Sequence, residues 1–235
     1  MHPALPEATP SPYFIKYETL CLGGRDYRIR SLLDRQQFHD PNSLAGRAGI
    51  SSASWPLFGL VWPSARMLAE AMQAFDLTGK RVLEVGCGLG LASLVMQQRG
   101  ADVTASDVHP LAAAFMAENL RLNQLAPLRF HTASWADDDA ATLGRFDLII
   151  GSDVLYERDQ PEALSGYLAR HAAASAEVII VDPDRGQRAR FTRAMQGLGF
   201  GHRAETAHPT QTSGEAYKGR FLHYRRGNLD QAGYA

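Results

Sequence analysis

Three glycines in the first half of the chain have a spacing that could bind a nucleotide-like ligand. Gly86, Gly88 and Gly90 directly follow an apolar run, and helical spacing of apolar residues begins at Leu91. A strand that ends in glycines and passes into a helix presents backbone N–H groups at a positive helix end, with no Cβ to obstruct the ligand. The pattern alone is common in α/β folds, and Leu91 stands where a dinucleotide fingerprint has its last glycine.

Two acids make the glycine pattern more specific. Glu84 lies just before the first glycine, at the carboxyl end of the predicted strand. Asp107 ends the next apolar stretch, about 20 residues after Gly86, and an acid at this spacing reaches the hydroxyls of a bound ribose. The glycines and the two acids together predict a site for a nucleoside cofactor.

Strands and helices alternate on both sides of this turn. Period-2 and continuous apolar runs predict strands at residues 82–85, 102–105, 128–132, 146–150 and 177–181, and helical periodicity predicts helices at 64–75, 91–99, 111–123, 162–173 and 187–198. Residues 201–206 and 220–224 are predicted as an antiparallel pair, because no helical segment separates them. The expected fold is α/β and Rossmann-like: a seven-stranded, mostly parallel sheet with helices on both faces and a C-terminal antiparallel strand pair.

The N-terminal part differs in composition. Alternating residues around Gly23-Gly24 predict a β-hairpin, and residues 34–54 are polar and rich in turn signals. We therefore expect an N-terminal extension at 1–54 (a disordered start, the hairpin and a loop), one catalytic domain at 55–226 and a tail at 227–235.

Composition narrows the class of protein. Hydrophobic residues are 45% and the formal net charge is −1, so a broad nucleic-acid-binding surface is not expected. Cys21 and Cys87 form neither a disulfide framework nor a zinc pattern, so we predict no metal and a reducing compartment. No signal peptide or membrane-spanning run is evident, and the sequence predicts a cytoplasmic location.

Further polar and aromatic side chains follow the later strands. Ser134 and Trp135 come after the third predicted strand of the alternating region, and Ser152, Asp153 and Tyr156 come after the fourth. The carboxyl ends of parallel strands meet at one edge of a sheet, where ligands bind. A flat tryptophan beside a ribose-binding acid suits a purine ring.

In this order the motifs resemble those of class I (seven-β-strand) S-adenosylmethionine-dependent methyltransferases. The similarity rests on Glu84-Val-Gly86-Cys87-Gly88-Leu-Gly90, Asp107, Ser134-Trp135 and Asp153-Val-Leu-Tyr156, and it extends over about residues 50–225. The Trp62-Pro63 pair and the D-x-x-Y motif that starts at Asp153 resemble the protein-lysine methyltransferase branch.

This resemblance implies a cofactor and a set of roles. The cofactor is expected to be S-adenosyl-L-methionine, with S-adenosyl-L-homocysteine as product. The residues expected to bind it are Trp62, Glu84, Gly86, Cys87, Gly88, Gly90, Asp107, Ser134, Trp135 and Ser152. Glu84 and the glycines would hold its methionyl end, Asp107 its ribose and Trp135 its adenine, while Asp153 and Tyr156 would be catalytic and face the methyl acceptor.

The acceptor is expected to be a lysine side chain of a protein. The aromatic segment 55–62 and the D-x-x-Y motif further resemble enzymes that act on the β-subunit of electron-transfer flavoprotein. Alternatives are a nicotinamide-type small-molecule N-methyltransferase, an NAD-binding oxidoreductase and a non-catalytic cofactor-binding module. An open groove beside Asp153 would favour a protein acceptor, whereas a closed apolar pocket would favour a small molecule. His109 and His131 are expected to be surface or capping residues rather than general bases.

Overall fold

A computed structural model describes residues 12–136, 140–157, 160–206 and 217–227. The strands are β1 (Ile15–Leu22), β2 (Arg25–Leu32), β3 (Arg81–Val85), β4 (Asp102–Asp107), β5 (Arg129–Thr132), β6 (Phe146–Ser152), β7 (Ala172–Asp182), β8 (Gly201–Thr206) and β9 (Arg220–Arg226). The helices are α1 (Leu44–Arg47), α2 (Pro63–Ala74), α3 (Leu91–Gln98), α4 (Ala112–Leu122), α5 (Ala140–Leu143), α6 (Gln160–His171) and α7 (Arg188–Gly197), with a 3₁₀ turn at Trp55–Gly59 before α2.

Seven strands form one sheet in the order β5-β4-β3-β6-β7-β9-β8. The pairs from β5 to β7 are parallel, and β9 runs antiparallel to both β7 and β8. The predicted fold class and the C-terminal antiparallel pair are therefore confirmed. Strand order reverses at β3, which lies between β4 and β6, and the carboxyl ends at such a reversal form the ligand-binding crevice of open α/β sheets.

Both faces of the sheet are buried, as a parallel sheet with helical crossovers requires. Val82 of β3 packs in the core cluster that contains the apolar side chains of α2, α3 and α4, whereas Leu83 and Val85 pack in the cluster of α6 and α7. This alternation follows from the period-2 direction of strand side chains. The helices therefore pack on both faces of β3, and they fix the position of its carboxyl end.

The N-terminal hairpin of β1 and β2 is a separate two-stranded sheet that docks on α4. Asn119 accepts the Arg30 N–H at 2.7 Å, and Asn123 accepts the Arg28 N–H at 2.9 Å. Each side-chain amide also donates to the carbonyl of the same arginine, at 3.4 and 2.8 Å. Four helical residues rise about 6 Å and two strand residues about 6.7 Å, so two asparagines one turn apart can pair with β2 as a neighbouring strand would.

Beyond shifts of one or two residues at element ends, two segments differ from the sequence-based expectation. The strand predicted from residue 177 begins at Ala172, and the preceding helix ends at His171 rather than at 173. The residues between are mostly alanines, whose pattern does not separate helix from strand, and pairing of Ala172 with Phe146 extends β7. The segment predicted as a polar loop at 34–54 contains the short helix α1, where the Asp40 carboxylate accepts the N–H groups of Ala45 and Gly46.

The predicted disordered start (residues 1–11) and most of the predicted tail (228–235) lie outside the described residues. Within the described ranges, none of the helices combines the length and the apolar character needed to span a bilayer.

The amide pairing between α4 and β2 predicts unequal effects of two similar substitutions. Asn119 is fully buried, so Asn119→Ala leaves the Arg30 N–H without a partner and should lower the free energy of unfolding by about 1–3 kcal/mol. Asn123→Ala removes the more exposed pair and should cost about 0.5–1.5 kcal/mol. Urea denaturation measures both values, and a larger cost for Asn123→Ala than for Asn119→Ala would contradict this order.

Candidate active site

A cavity of about 740 Å³ opens at the carboxyl ends of β3, β4, β5 and β6. The predicted site residues that line it are Trp62, Gly86, Cys87, Gly88, Gly90, Asp107, Ser134, Trp135, Ser152, Asp153 and Tyr156. Glu84 is the predicted site residue that does not line it. A cavity of this size is in the range that holds a cofactor-sized molecule.

The turn after β3 requires its glycines. Gly86, Gly88 and Gly90 have φ values of 58°, 53° and 69°, which L side chains rarely adopt. A Cβ on Gly88 would also stand 2.8 Å from the carbonyl oxygen of Phe58 in the 3₁₀ turn. The backbone of the turn therefore packs directly against the 3₁₀ turn, and Gly90 leads into the N-terminus of α3.

Glu84 faces away from the cavity and holds the start of α3. Only 2% of the residue is exposed, and one carboxylate oxygen accepts the backbone N–H of Ser93 at 2.9 Å and the Ser93 hydroxyl at 2.5 Å. Burial, helped by the nearby charge of Asp107, raises the pKa of the Glu84 carboxyl to about 7, although the two Ser93 bonds oppose this. The predicted contact of Glu84 with a methionyl group stays a prediction, and the observed contacts give it a positioning role.

Asp107 at the end of β4 braces the same turn from the other side. Its two oxygens accept the N–H groups of Gly88 and His109, each at 2.8 Å. Burial raises the pKa of the Asp107 carboxyl, and these backbone bonds oppose the shift. Each carboxylate oxygen has a further lone pair, so Asp107 can still accept a ligand hydroxyl while it holds the turn.

Cys87 lies in the turn near the two acids. Burial raises the pKa of its thiol, helped by the charges of Asp107 and Glu84, so the thiol stays protonated near neutral pH.

His109 is part of the cavity wall, which corrects the expectation of a surface residue. It is buried, and its ring stacks on Phe58 with 3.7 Å between centroids and an interplanar angle of 14°. Its Nδ1 accepts the N–H of Leu111 just before α4, so the expected capping contact is present. Burial lowers the pKa of His109 to about 4, and the ring is therefore neutral near pH 7. Sequence reasoning missed the Phe58–His109 stack, which no local pattern signals.

Two tryptophans line the cavity. Trp62 precedes α2, and its indole N–H donates to the Leu57 carbonyl at 2.8 Å, which ties it to the 3₁₀ turn. Trp135 follows β5, and its ring lies next to Gly86, with 3.7 Å between ring atom Cζ2 and a Cβ built on that glycine. Its carbonyl accepts a bond from Arg170 at 3.0 Å. A flat apolar ring thus lies beside the glycine turn.

Asp153 and Tyr156 lie at the rim. Asp153 has a φ of 52°, and its N–H donates to the Val181 carbonyl at 2.9 Å, which holds it against β7. Its carboxylate makes two parallel bonds of 2.7 Å with the guanidinium of Arg185. Tyr156 is 44% exposed, and its backbone N–H donates to the side chain of Gln160.

Arg185 is a site residue that sequence reasoning missed. It lines the cavity and comes from the segment that follows β7. The site residues predicted from strand ends lie at the ends of β3, β4, β5 and β6, whereas Arg185 follows β7. The same rule applied to the next strand would have included Asp182-Pro183-Asp184-Arg185.

A family model described as lysine methyltransferase matches residues 56–197, which is more than half of the chain. The chain belongs to the lysine methyltransferase family. This finding confirms the resemblance to protein-lysine methyltransferases that the motifs indicated. The matched residues include the glycine turn and extend past Asp153, Tyr156 and Arg185.

Individual relatives agree with the family assignment. The electron transfer flavoprotein beta subunit lysine methyltransferase of Rattus norvegicus is 30% identical over 145 residues, 60% of this chain and 56% of that protein. The protein N-lysine methyltransferase METTL21A of Danio rerio is 30% identical over 139 residues, 55% of this chain and 63% of that protein. The matches therefore span somewhat more than half the length of these two relatives.

A solved structure has the same fold. The 16S rRNA N2 G1207 methyltransferase of T. thermophilus, in complex with AdoMet and guanosine, superposes with a TM-score of 0.62 at 19% identity, over 94% of this chain and 53% of that chain. At this identity the likeness shows the fold alone.

The buried Glu84 predicts how stability depends on pH. Its pKa of about 7 in the folded chain lies above the ordinary value of 4.5, so between these values the folded state binds more protons and stability falls as pH rises. Glu84→Gln cannot titrate but can still accept both Ser93 bonds. Relative to the wild type, this variant should gain on the order of 2–3 kcal/mol between pH 4.5 and pH 8.

Urea denaturation at several pH values measures this gain. Glu118→Gln is the control, because Arg121 holds the pKa of the Glu118 carboxyl below its usual range, and that variant should show no gain on raising the pH. A pH-independent difference between Glu84→Gln and the wild type would show that folding does not raise the pKa of Glu84.

Proposed function

We propose that this protein is an S-adenosylmethionine-dependent N-methyltransferase that methylates a lysine side chain of a protein. The observation that carries the proposal is the pair of Asp153 and Tyr156 in the cavity that the glycine turn lines, with Tyr156 exposed to solvent. Asp153 already binds one cationic side chain, that of Arg185. The same carboxylate is suited to a lysine ammonium group.

The cavity fits the proposed cofactor on structural grounds. A Cβ on Gly88 would collide with Phe58, the buried Asp107 binds the Gly88 N–H, and the Trp135 ring lies beside Gly86. Gly86 and Gly88 would hold the methionyl end, Asp107 the ribose and Trp135 the adenine. When bound, S-adenosylmethionine supplies a methyl group on a sulfonium sulfur, and the transfer releases S-adenosylhomocysteine and a proton.

The main contribution of this chain to the reaction would be to position the acceptor amine. A lysine ammonium has a solution pKa of about 10.4 and is not a nucleophile until it loses a proton. Asp153 would accept hydrogen bonds from the incoming nitrogen and orient it, and the Tyr156 ring would form a wall for a cationic or methylated nitrogen. Alignment of this kind supplies most of the rate enhancement in a displacement by a neutral amine.

The exposure of the rim favours a protein over a small-molecule acceptor. Tyr156 is 44% exposed, as is the side chain of Arg185, so the acceptor end opens toward solvent rather than into a closed apolar pocket. A large acceptor could therefore present one lysine while its remainder stays outside. The name of the rat relative makes the β-subunit of electron-transfer flavoprotein the first acceptor to test.

The domain division also belongs to this proposal. Residues 55–226 would perform the catalysis, and residues 1–54 would support the cavity and contact the acceptor. Side chains of the hairpin pack into the core cluster of α2 and α3, and Arg35, Ala48, Gly49 and Ile50 line the cavity. The free thiols of Cys21 and Cys87 are compatible with the cytoplasmic location expected from the sequence.

Labelled S-adenosylmethionine tests the proposal directly. In one experiment the chain is incubated with the purified β-subunit, and in a second with a lysate of its source cells. Mass spectrometry then identifies the labelled molecule and residue. We expect a methylated lysine on a protein. Asp153→Asn should slow the transfer about 10- to 100-fold through lost alignment, whereas Asp26→Asn, the same change at an exposed position of the hairpin, should leave it unchanged. Label found in small molecules alone would contradict a protein acceptor.

A further inference from the structure

The carboxylate assigned to the acceptor already has a cationic partner from its own chain. Arg185 binds both oxygens of Asp153 at 2.7 Å, in the two-pronged geometry that gives the strongest arginine–carboxylate pairs. The Asp153 side chain is only 11% exposed, so its charge would lack compensation without this partner. Any ammonium that approaches Asp153 therefore meets an occupied site.

A second buried acid acts electrostatically on the same guanidinium. Asp182 ends β7 next to the end of β6, is 2% exposed, and its Oδ2 has no hydrogen-bond partner among the described residues. Burial and the nearby charges of Asp184 and Asp153 raise the pKa of the Asp182 carboxyl. The hydrogen bonds to Asp153 and the charge of Asp182 raise the pKa of Arg185 in turn. At this edge the Arg185 guanidinium therefore binds Asp153, while Asp182 is also under the influence of the charge of Arg188.

Arg185 is placed so that it can leave. Its side chain is 44% exposed, and it lies between two residues with positive φ, Asp184 at 65° and Gly186 at 89°. It is outside β7 and α7, and no regular backbone pairing holds it in place. Replacement of the guanidinium by an ammonium group exchanges one positive charge for another, so Asp153 keeps a compensating charge throughout.

We propose that Arg185 competes with the acceptor amine for binding to Asp153, and that it thereby selects for acceptors large enough to displace it. This inference rests on the proposed function. An intramolecular cation acts at an effective concentration in the millimolar range or above, so a small free amine competes poorly. A protein gains contact energy elsewhere on the surface, and it can use that energy to displace Arg185 from Asp153.

Binding of n-butylammonium, which copies the lysine side chain, tests the competition without any methyl transfer. Its dissociation constant is measured by NMR titration of the full chain. Arg185→Gln should bind about 3- to 10-fold more tightly than the wild type, as expected for loss of a half-exposed competing pair. Arg185→Lys keeps a cation without the two-pronged geometry and should fall between the two.

Two further variants separate competition for Asp153 from the effect of losing any exposed ion pair. Arg190→Gln breaks another exposed ion pair, with Glu162, and should leave binding unchanged. Addition of Asp153→Asn to Arg185→Gln should abolish the gain. If Arg185→Gln binds n-butylammonium no better than the wild type, Arg185 only positions Asp153 and the inference is wrong. Tighter binding in a chain that labels no protein would instead overturn the proposed reaction and leave the cation exchange in place.

Discussion

The site depends on two buried carboxylates that hold one turn of backbone. Asp107 binds the N–H of Gly88 from the β4 side, and Glu84 binds Ser93 at the start of α3. Burial of a carboxylate is costly unless hydrogen bonds compensate it, and both acids meet that condition with donors of the turn itself and the adjoining helix. Their contacts keep the backbone between β3 and α3 in left-handed conformations that leave room for a ligand.

The N-terminal part completes the cavity that this turn begins. The hairpin docks on α4 through side-chain amides, and the chain then reaches the 3₁₀ turn, where the Phe58 carbonyl meets Gly88 and the Phe58 ring stacks on His109. Segments distant in sequence are thus brought over one crevice. Asp153 and Arg185 also line the cavity as an ion pair, so one cavity combines a glycine-rich wall with a charged pair.

The sequence predicted the elements well and the side-chain directions poorly. Alternating periodicity was sufficient for the parallel sheet and for the terminal antiparallel pair, because burial on both faces leaves a clear pattern. Strand ends correctly located Asp107, Asp153 and Trp135 at the cavity. The same rule could not show that Glu84 faces α3, since a strand position defines a face and not a hydrogen-bond partner. The burial of His109 depends on Phe58, whose approach across the fold has no local signal.

A crystal structure with S-adenosylhomocysteine is the most direct test of the account. We expect the ribose hydroxyls within hydrogen-bond distance of the Asp107 carboxylate, the amino-acid part against the Gly86–Gly88 backbone and the sulfur on the side of the cavity that faces Asp153. Density for the nucleoside at another place on the protein, or in this cavity with its sulfur directed away from Asp153, would contradict the central claim that the braced turn presents a methyl donor to an amine at that rim.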